Sequence, residues 1–81
     1  MDDKNAKHKN WFLEQRMEWI AETLRVFGFL NRVHIERKFW ISTPQAALDI
    51  REFQKRHPDA MTYDKSAKQY IAIRAAKETG E

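Results

Sequence analysis

Residues 31–57 read NRVHIERKFWISTPQAALDIREFQKRH and contain the start and stop signals of two helices. Asn31 is a good N-cap for a two-turn helix over Arg32–Phe39, because its side-chain oxygen can accept an amide hydrogen bond from the first turn. The run Ser42-Thr43-Pro44-Gln45 predicts a capping box, in which the first hydroxyl meets the last amide and the last side chain reaches back. We therefore expect a second helix over about residues 43–56.

Apolar residues recur at steps of three and four in both segments, as in helices with one buried face. His57-Pro58 ends the second helix, because the residue before a proline disfavours the helical conformation. Two short helices joined by a turn of three or four residues form a helix-turn-helix. The positions expected to face the core are Val33, Ile35 or Glu36, Phe39, Ala46, Ile50 and Phe53.

A β-hairpin is predicted after Pro58. The stretches 61–63 (MTY) and 69–73 (QYIAI) are rich in β-branched and aromatic residues, and the connection 64–68 (DKSAK) carries two lysines. The order helix, helix, recognition helix, hairpin is that of a winged helix-turn-helix. The predicted fold class is therefore mainly α with a small β-hairpin: three helices plus a two-stranded wing.

The first helix of this arrangement is predicted from Trp11 to Phe27, with Gly28 as its stop. A second apolar stripe on it repeats every seven residues and lies about a quarter-turn or more from the main stripe. Either the wing and the third helix cover both stripes, or the second stripe forms the contact of a homodimer. The main stripe contains Leu13, Met17, Ile20, Leu24 and Phe27, and the second contains Phe12, Trp19 and Val26.

The two ends of the sequence lack helical or strand periodicity. Residues 1–10 are polar and charged, and we expect a flexible lead there. The folded domain is expected to span residues 11–73. Residues 74–81 are expected to form a flexible tail or the edge of a longer protein.

The bulk composition limits the classes of function. Eighty-one residues, 42% of them hydrophobic, suit one small domain without a deep catalytic cleft. The lack of Cys excludes a disulfide framework and a Cys-based zinc site. The polar start and the short apolar runs predict a cytoplasmic protein without membrane contact. A net charge of +3 is a mild excess, so the placement of the charges must decide whether nucleic acid binds.

In a winged helix-turn-helix the first turn of the third helix enters the major groove, so its exposed residues are expected to read bases. Gln45 could pair with an adenine edge, and Arg51 could reach a guanine or a phosphate. Asp49 would repel phosphate and is expected to bind a nearby Arg or a backbone amide. The base-reading candidates are Thr43, Gln45, Ala47, Leu48 and Arg51. The phosphate-binding candidates, at helix caps and on the wing, are Asn31, Arg32, Ser42, Thr43, Lys65, Ser66 and Lys68.

Two segments resemble a known family. Residues 41–50 (ISTPQAALDI) together with residues 63–71 (YDKSAKQYI) are similar to the N-terminal winged helix-turn-helix domain of WYL-domain transcriptional regulators of the BrxR and CapW type. Residues 28–35 (GFLNRVHI), which include Asn31-Arg32-Val33, fit the same pattern, and the resemblance covers about residues 13–72.

This resemblance implies a homodimeric bacterial repressor that places two such domains on an inverted repeat of double-stranded DNA, often beside phage-defence genes. Such a protein would be cytoplasmic and associated with the nucleoid when bound. The family's ligand-sensing WYL domain and dimerising C-terminal region are not in this sequence, so we expect a fragment or a free-standing relative. A free-standing relative would dimerise through the second stripe. The resemblance places Ser42, Thr43, Gln45, Lys65, Ser66 and Lys68 at recognition-helix and wing positions.

The sequence departs from the family at the turn before the first wing strand. Pro58-Asp59-Ala60 stands where the family has a glycine, so this turn is expected to differ.

Other functions compete with DNA reading. The main alternative is a winged-helix module that binds another protein. RNA binding ranks below both, because a helix cannot read the deep, narrow groove of A-form RNA. Neither enzymatic activity nor a cofactor is expected, since His8, His34 and His57 are scattered and no catalytic, metal or phosphate-loop motif is present.

Overall fold

The computed structural model of the chain describes residues 2–73, with side chains from residue 11 onward. Within that range none of the helices is long and apolar enough to cross a membrane. The tail expected at residues 74–81 lies outside the described residues. The predicted winged helix-turn-helix is confirmed, with the elements α1 (Asp2–Phe27), β1 (Phe29–Leu30), α2 (Arg32–Phe39), α3 (Thr43–Arg56), β2 (Met61–Asp64) and β3 (Gln69–Ala72).

Helix α1 begins at Asp2, not at Trp11 as the apolar pattern predicted. Residues 2–10 carry no apolar stripe. Such a segment can still extend an existing helix, because adding residues to a helix costs less than nucleating one. The predicted start of α1 was therefore wrong, whereas the flexible character expected of residues 1–10 stays a prediction.

The end of α1 is fixed by Gly28, whose φ of 85° takes the chain out of the helix. The Gly28 amide donates to the Leu24 carbonyl oxygen at 2.9 Å, which closes the last turn. Phe27, the last residue of the main stripe, is 68% exposed, so the neighbouring elements do not cover the whole stripe. The chain turns directly after Phe27, and the fully buried Leu30 of β1 fills the core beside the helix end instead.

The N-cap of α2 forms the capping box of this domain. The Asn31 Oδ1 atom accepts from the Val33 amide at 3.0 Å, and the Asn31 amide donates to Nδ1 of His34 at 3.2 Å. At α3 only half of the predicted box is present. The Ser42 hydroxyl accepts from the backbone amide of Gln45 at 3.2 Å. The Gln45 side chain does not accept from the Ser42 amide in return, and its Nε2 atom donates to Asp49 at 2.9 Å.

Between α2 and α3 the chain turns at Trp40, which has a left-handed φ of 56°. The amides of Trp40 and Ile41 both donate to the Glu36 carbonyl oxygen, so the last turn of α2 is closed. Glycine is the usual residue in this conformation, because a Cβ atom is crowded there. The Trp40 side chain is 92% exposed, so no burial offsets that crowding.

The three strands form one antiparallel sheet in the order β1-β3-β2. The predicted hairpin is present, with Met61 opposite Ala72 and Asp64 opposite Gln69. Strand β1 was not predicted; it adds Phe29 and Leu30 to the outer side of β3, so the two-stranded wing is part of a three-stranded sheet. This edge ties the end of α1 to the hairpin.

The core lies where α1, α2 and α3 meet the sheet. The predicted inward positions of α3 are buried, and in α2 Ile35 rather than Glu36 faces the core, while Val33 is exposed. Burial of these side chains supplies the main stabilising term, about 1.5–3 kcal/mol for each large one. The buried hydrophobic residues are Met17, Ile20, Leu24, Leu30, Ile35, Ala46, Ile50, Phe53 and Met61.

The second stripe of α1 is only partly covered. Trp19 packs edge-on against Phe39 of α2, with ring centroids 5.6 Å apart. Phe12 and Val26 are 57% and 53% exposed. The cover of Trp19 thus comes from α2, an element that neither sequence interpretation named. A dimer contact through this stripe stays a prediction.

Candidate nucleic-acid interface

An open groove of about 480 Å³ lies between α3 and the hairpin, and we call it the α3–wing groove. Five of the residues predicted to bind DNA line it, contributed by α3, by the start of α2 and by the tip of the hairpin. The fold therefore brings together segments that are distant in sequence. The lining residues are Asn31, Arg32, Ala47, Ile50, Arg51, Gln54, Tyr63, Lys68 and Tyr70.

The charges around the α3–wing groove are positive. Arg51 and Lys68 are exposed, and neither side chain has an ion pair or hydrogen bond with any described residue. Arg32 is half exposed and lies 3.4 Å from Glu36, at the long end of a salt bridge. Among the described residues, no carboxylate lines the groove. Free cations on one concave surface attract a polyanion such as a nucleic-acid backbone.

Asn31 connects the helix-turn-helix to the wing. Its Oδ1 atom caps α2, and its Nδ2 atom donates to the Lys68 carbonyl oxygen at 3.4 Å. The side chain predicted to bind phosphate therefore has one amide hydrogen left for a ligand. Its observed contacts hold Lys68 beside the N-terminus of α2.

The tip of the hairpin is ordered by Asp64. Its Oδ1 atom accepts from the amides of Ser66 and Ala67 at 2.9 and 3.2 Å, and its carbonyl oxygen accepts from the Lys68 amide at 2.7 Å. These bonds turn the chain within four residues and leave the side chains of Lys65 and Ser66 exposed. The Ser66 hydroxyl has no hydrogen bond with any described residue and is available to a ligand.

Three lining residues were missed by the sequence analysis. Gln54 lies three residues after Arg51, and the steps Ala47, Arg51, Gln54 were a readable helical stripe. Tyr63 and Tyr70 are directly opposite each other across the hairpin, with ring centroids 4.9 Å apart. A prediction of the strand register in the hairpin would have placed Tyr63 opposite Tyr70.

The first turn of α3 carries the remaining recognition candidates. Ser42, Thr43 and Leu48 are exposed, whereas Gln45 is half-buried. None of these four residues lines the α3–wing groove. The structure thus separates the predicted site into the groove, the start of α3 and the wing tip with Lys65 and Ser66.

Besides the apolar core, two ion pairs among the described residues join α3 to α1. The first is buried: Asp49 is 1% exposed, and its carboxylate accepts hydrogen bonds from Nε and Nη2 of Arg16 at 2.6 and 3.2 Å. This confirms the prediction that Asp49 is a structural partner of an arginine.

The second contact is at the surface, where Arg56 of α3 binds Glu14 of α1 through two nitrogens, each 2.8 Å from a carboxylate oxygen. Its Nε atom also donates to Glu52 at 2.8 Å. The hydrogen bond from Arg56 lowers the pKa of Glu14 below its ordinary value. The hydrogen bonds to Glu14 and Glu52 raise the pKa of Arg56. Together the two contacts fix the rotation of α3 relative to α1.

A second, apolar groove of about 390 Å³ shares no residue with the α3–wing groove. Trp19 is the only member of the predicted dimer stripe in it. Among the described residues no cluster of three or more His, Cys, Asp or Glu side chains could hold a metal ion. The apolar groove is lined by Trp19, Thr23, Phe27, Phe29, His34 and Arg37.

Comparison with known proteins gives consistent matches over most of the chain. The Escherichia coli (strain KTE188) protein named DNA-binding transcriptional repressor CapW is 40% identical over 67 residues, which are 83% of this chain and 22% of that protein. Proteins of the same name from Pseudomonas aeruginosa and Stenotrophomonas maltophilia are 38% identical over 74 residues (91% of this chain, 25% of theirs) and 29% identical over 72 residues (89% and 24%). The chain therefore spans about a quarter of the length of these curated relatives.

The family comparison agrees with the geometry. The sequence model of the BrxR transcriptional regulator winged helix-turn-helix domain matches residues 12–77, a range that begins in α1 and extends past β3. The match includes both helices of the helix-turn-helix and the hairpin. The chain therefore belongs to the BrxR transcriptional regulator winged helix-turn-helix domain family.

Proposed function

We propose that this domain binds double-stranded DNA with sequence preference, as the DNA-reading part of a transcriptional repressor. The observation that carries the proposal is the α3–wing groove, where Arg32, Arg51 and Lys68 converge and which no carboxylate of the described residues lines. Arg51 and Lys68 have no ion-pair partner among the described residues, and Arg32 has only the 3.4 Å contact with Glu36. The names of the similar proteins, DNA-binding transcriptional repressors, support the same role. In this proposal the domain acts by binding and not by catalysis.

In the proposed complex α3 enters the major groove and the wing follows the phosphate backbone. Leu48 is 54% exposed, which suits contact with a thymine methyl group better than solvent exposure. Free amides at the N-termini of α2 and α3 suit phosphate oxygens. Base contacts are assigned to Thr43, Gln45, Ala47, Leu48 and Arg51, and phosphate contacts to Asn31, Arg32, Ser42, Thr43, Lys65, Ser66 and Lys68.

The proposal includes two copies of the domain on an inverted repeat. A single small domain buries too little DNA surface for the affinity that repressors need, and a second copy multiplies the contacts. The exposed side chains of Phe12 and Val26 offer apolar area for the contact between copies, beside the partly covered Trp19. The resemblance to BrxR and CapW regulators extends the proposal to a cytoplasmic, nucleoid-associated regulator of bacterial phage-defence genes.

A protein-binding module is the second candidate, and the apolar groove favours it. Phe27 and Phe29 are 68% and 37% exposed at its edge. Exposed apolar area of this kind commonly marks contact with another protein. The two candidates differ in their dependence on Arg51, which lies away from the apolar groove.

The test is fluorescence anisotropy with a duplex from the gene's own upstream region and a scrambled duplex, over about 50–300 mM salt. Preference for the native duplex that persists as salt rises supports the proposal. Arg51→Ala should weaken binding, whereas Lys55→Ala, which removes the same charge from α3 outside the groove, should not. Equal and steeply salt-dependent binding to both duplexes would refute sequence preference, and no binding at micromolar protein would favour the protein-binding module.

The dimer is tested separately by sedimentation equilibrium at micromolar concentration. We expect the wild type to sediment as a dimer and the Phe12→Ala/Val26→Ala variant to sediment as a monomer. A wild-type dimer that the double substitution leaves intact would exclude the second stripe as the contact.

A further inference from the structure

We propose that Arg16 and Asp49 form a positioning network that fixes the side-chain amide of Gln45, so that Gln45 offers a base edge its hydrogen-bond groups in one order only. This inference rests on the proposed function and names the residues that set its specificity. Arg16 lies on α1, and among the described residues its hydrogen bonds go to Asp49 and not to any predicted DNA-binding residue. It is therefore a positioning residue, not a contact residue.

The network is anchored by a buried charge. Asp49 is 1% exposed, and an isolated carboxylate at such a place would be strongly disfavoured. Arg16 satisfies it with two nitrogens, Nε to Oδ2 at 2.6 Å and Nη2 to Oδ1 at 3.2 Å. The planar guanidinium holds both oxygens at once, so the plane of the carboxylate is defined.

Gln45 lies one helical turn before Asp49, and its Nε2 atom donates to Oδ1 of Asp49 at 2.9 Å. An ionised carboxylate only accepts hydrogen bonds, so the Gln45 amide must present its nitrogen to Asp49 and never its oxygen. Rotation of the amide by 180° would place two acceptors against each other. The amide is therefore held in one of its two orientations.

The groups of the Gln45 side-chain amide that do not bind Asp49 are available to a ligand. Its carbonyl oxygen accepts no hydrogen bond from any described residue, and the second hydrogen of the nitrogen is also unused. Gln45 lies in the first turn of α3, three residues after the N-cap Ser42. The Gln45 oxygen is a fixed acceptor, and the remaining hydrogen on its nitrogen is a fixed donor beside it. The base edge that complements this pair in the major groove is that of adenine, where N6 donates and N7 accepts.

A network of this kind affects recognition in a way that a purely structural ion pair does not. If Asp49 served only to attach α3 to α1, weakening it would change binding to all duplexes alike. If it orients Gln45, weakening it lowers the ratio of affinities for two duplexes that differ at one base pair. That ratio is independent of the fraction of folded protein, because both duplexes bind the same active molecules.

The experiment begins with selection of preferred duplexes from a random pool by the wild-type chain, followed by anisotropy titrations on the selected duplex and its single-base-pair variants. At the pair read by Gln45 we expect a preference of about 5- to 150-fold, the range of a good bidentate base contact. Gln45→Ala should abolish this preference, and Asp49→Asn should reduce it toward the same value. Asp49→Asn should have no further effect on it in the Gln45→Ala background.

Two further variants separate orientation from attachment. Arg16→Lys keeps the positive charge but cannot donate two hydrogen bonds to Asp49 in the fixed geometry of a guanidinium. It should lower the base-pair preference of the wild type, and it provides a test even if Asp49→Asn fails to fold. Glu14→Gln removes the charge from the other ion pair between α1 and α3, the one with Arg56, and should leave the preference unchanged. Equal preference in wild type, Asp49→Asn and Arg16→Lys would overturn the inference, as would an equal loss in Glu14→Gln.

The wild-type protein gives a measurement without any substitution. In NMR spectra the side-chain amide hydrogens of Gln45 should exchange with solvent more slowly than those of Gln69, which form no hydrogen bond with a described residue. Equal exchange rates would contradict the fixed amide. Failure of the selection to enrich any sequence would instead refute the proposed function, and the two failures are therefore distinguishable.

Discussion

Replacement of Asn31 should destabilise the domain through two separate contacts. Asn31→Ala removes the cap of α2, a loss of about 1 kcal/mol, and the bond to the Lys68 carbonyl oxygen, which at 3.4 Å and in an exposed place contributes about 0.5 kcal/mol. The sum of about 1.5 kcal/mol corresponds to a Tm lower by about 6–12 °C in a domain of this size. Denaturation in urea followed by circular dichroism measures it.

Asn31→Asp separates the two contacts. The carboxylate keeps the acceptor for the Val33 amide and gains about 0.3–1 kcal/mol from the helix dipole, but it cannot donate to Lys68. We therefore expect stability close to that of the wild type, together with weaker DNA binding, since a negative charge enters the α3–wing groove.

Ser42→Ala is the matched control, because it removes a cap that has no link to the wing. It should cost about 1 kcal/mol, less than Asn31→Ala. If Asn31→Ala and Asn31→Asp unfolded at the same urea concentration, the stabilisation of α2 by an acceptor at position 31 would be refuted. If Asn31→Ala cost no more than Ser42→Ala, the bond to the wing would contribute nothing.

Four other perturbations probe separate parts of the domain. The Lys65→Ala/Lys68→Ala variant should lose affinity for the native and the scrambled duplex by the same factor. The magnitude of the slope of log K against log salt should fall by about 2, and an unchanged slope in anisotropy titrations would exclude both phosphate contacts. Ile35→Ala, at a fully buried position, should lower the free energy of unfolding in urea by about 2–5 kcal/mol. Because the pKa of Glu14 is lowered in the folded state, its stabilising effect is present above its ordinary pKa and is lost as pH falls through the folded value. The Tm difference between wild type and Glu14→Gln should therefore be larger near pH 7 than near about pH 3, and a constant difference would contradict the ion pair. Trp40→Gly should raise stability by about 1 kcal/mol, because it relieves a left-handed residue whose side chain is exposed, and a lower Tm in calorimetry would refute this.

Local signals accounted for most of the secondary structure. The caps Asn31 and Ser42 predicted the starts of α2 and α3 correctly, because capping depends on residues within one turn. Strand β1 escaped prediction, since two residues are too few to show an alternating pattern and the strand exists only through its pairing with β3. The exposure of Phe27 could not be predicted for a similar reason, because the spacing of apolar residues along a helix does not show where the neighbouring elements end.

The candidate site was predictable only in part. Arg32, Arg51 and Lys68 were chosen from the order of elements, and the fold does bring them to one groove. The partner of Gln45 was missed, because the capping-box pattern assigns its side-chain oxygen to the Ser42 amide, whereas in the structure its Nε2 atom donates to Asp49 one turn later. The fixing of Asp49 by Arg16 joins residues 33 positions apart, a separation that no local pattern encodes.

The strand order β1-β3-β2 bears on how the domain acquires its structure. The central strand, β3, is the last of the three along the chain, and its partner Phe29 lies opposite Ile71. During synthesis the residues of the three helices leave the ribosome before those of β3, so β1 has no strand to pair with until β3 follows. The pairing of β1 with β3 closes a loop that contains α2, α3 and β2. Closing so long a loop costs conformational entropy and belongs to the late part of folding. We therefore expect the wing to unfold first when the chain opens locally. The backbone amides of β1 and β3 should then exchange with solvent at similar rates, because their pairing is broken in the same opening.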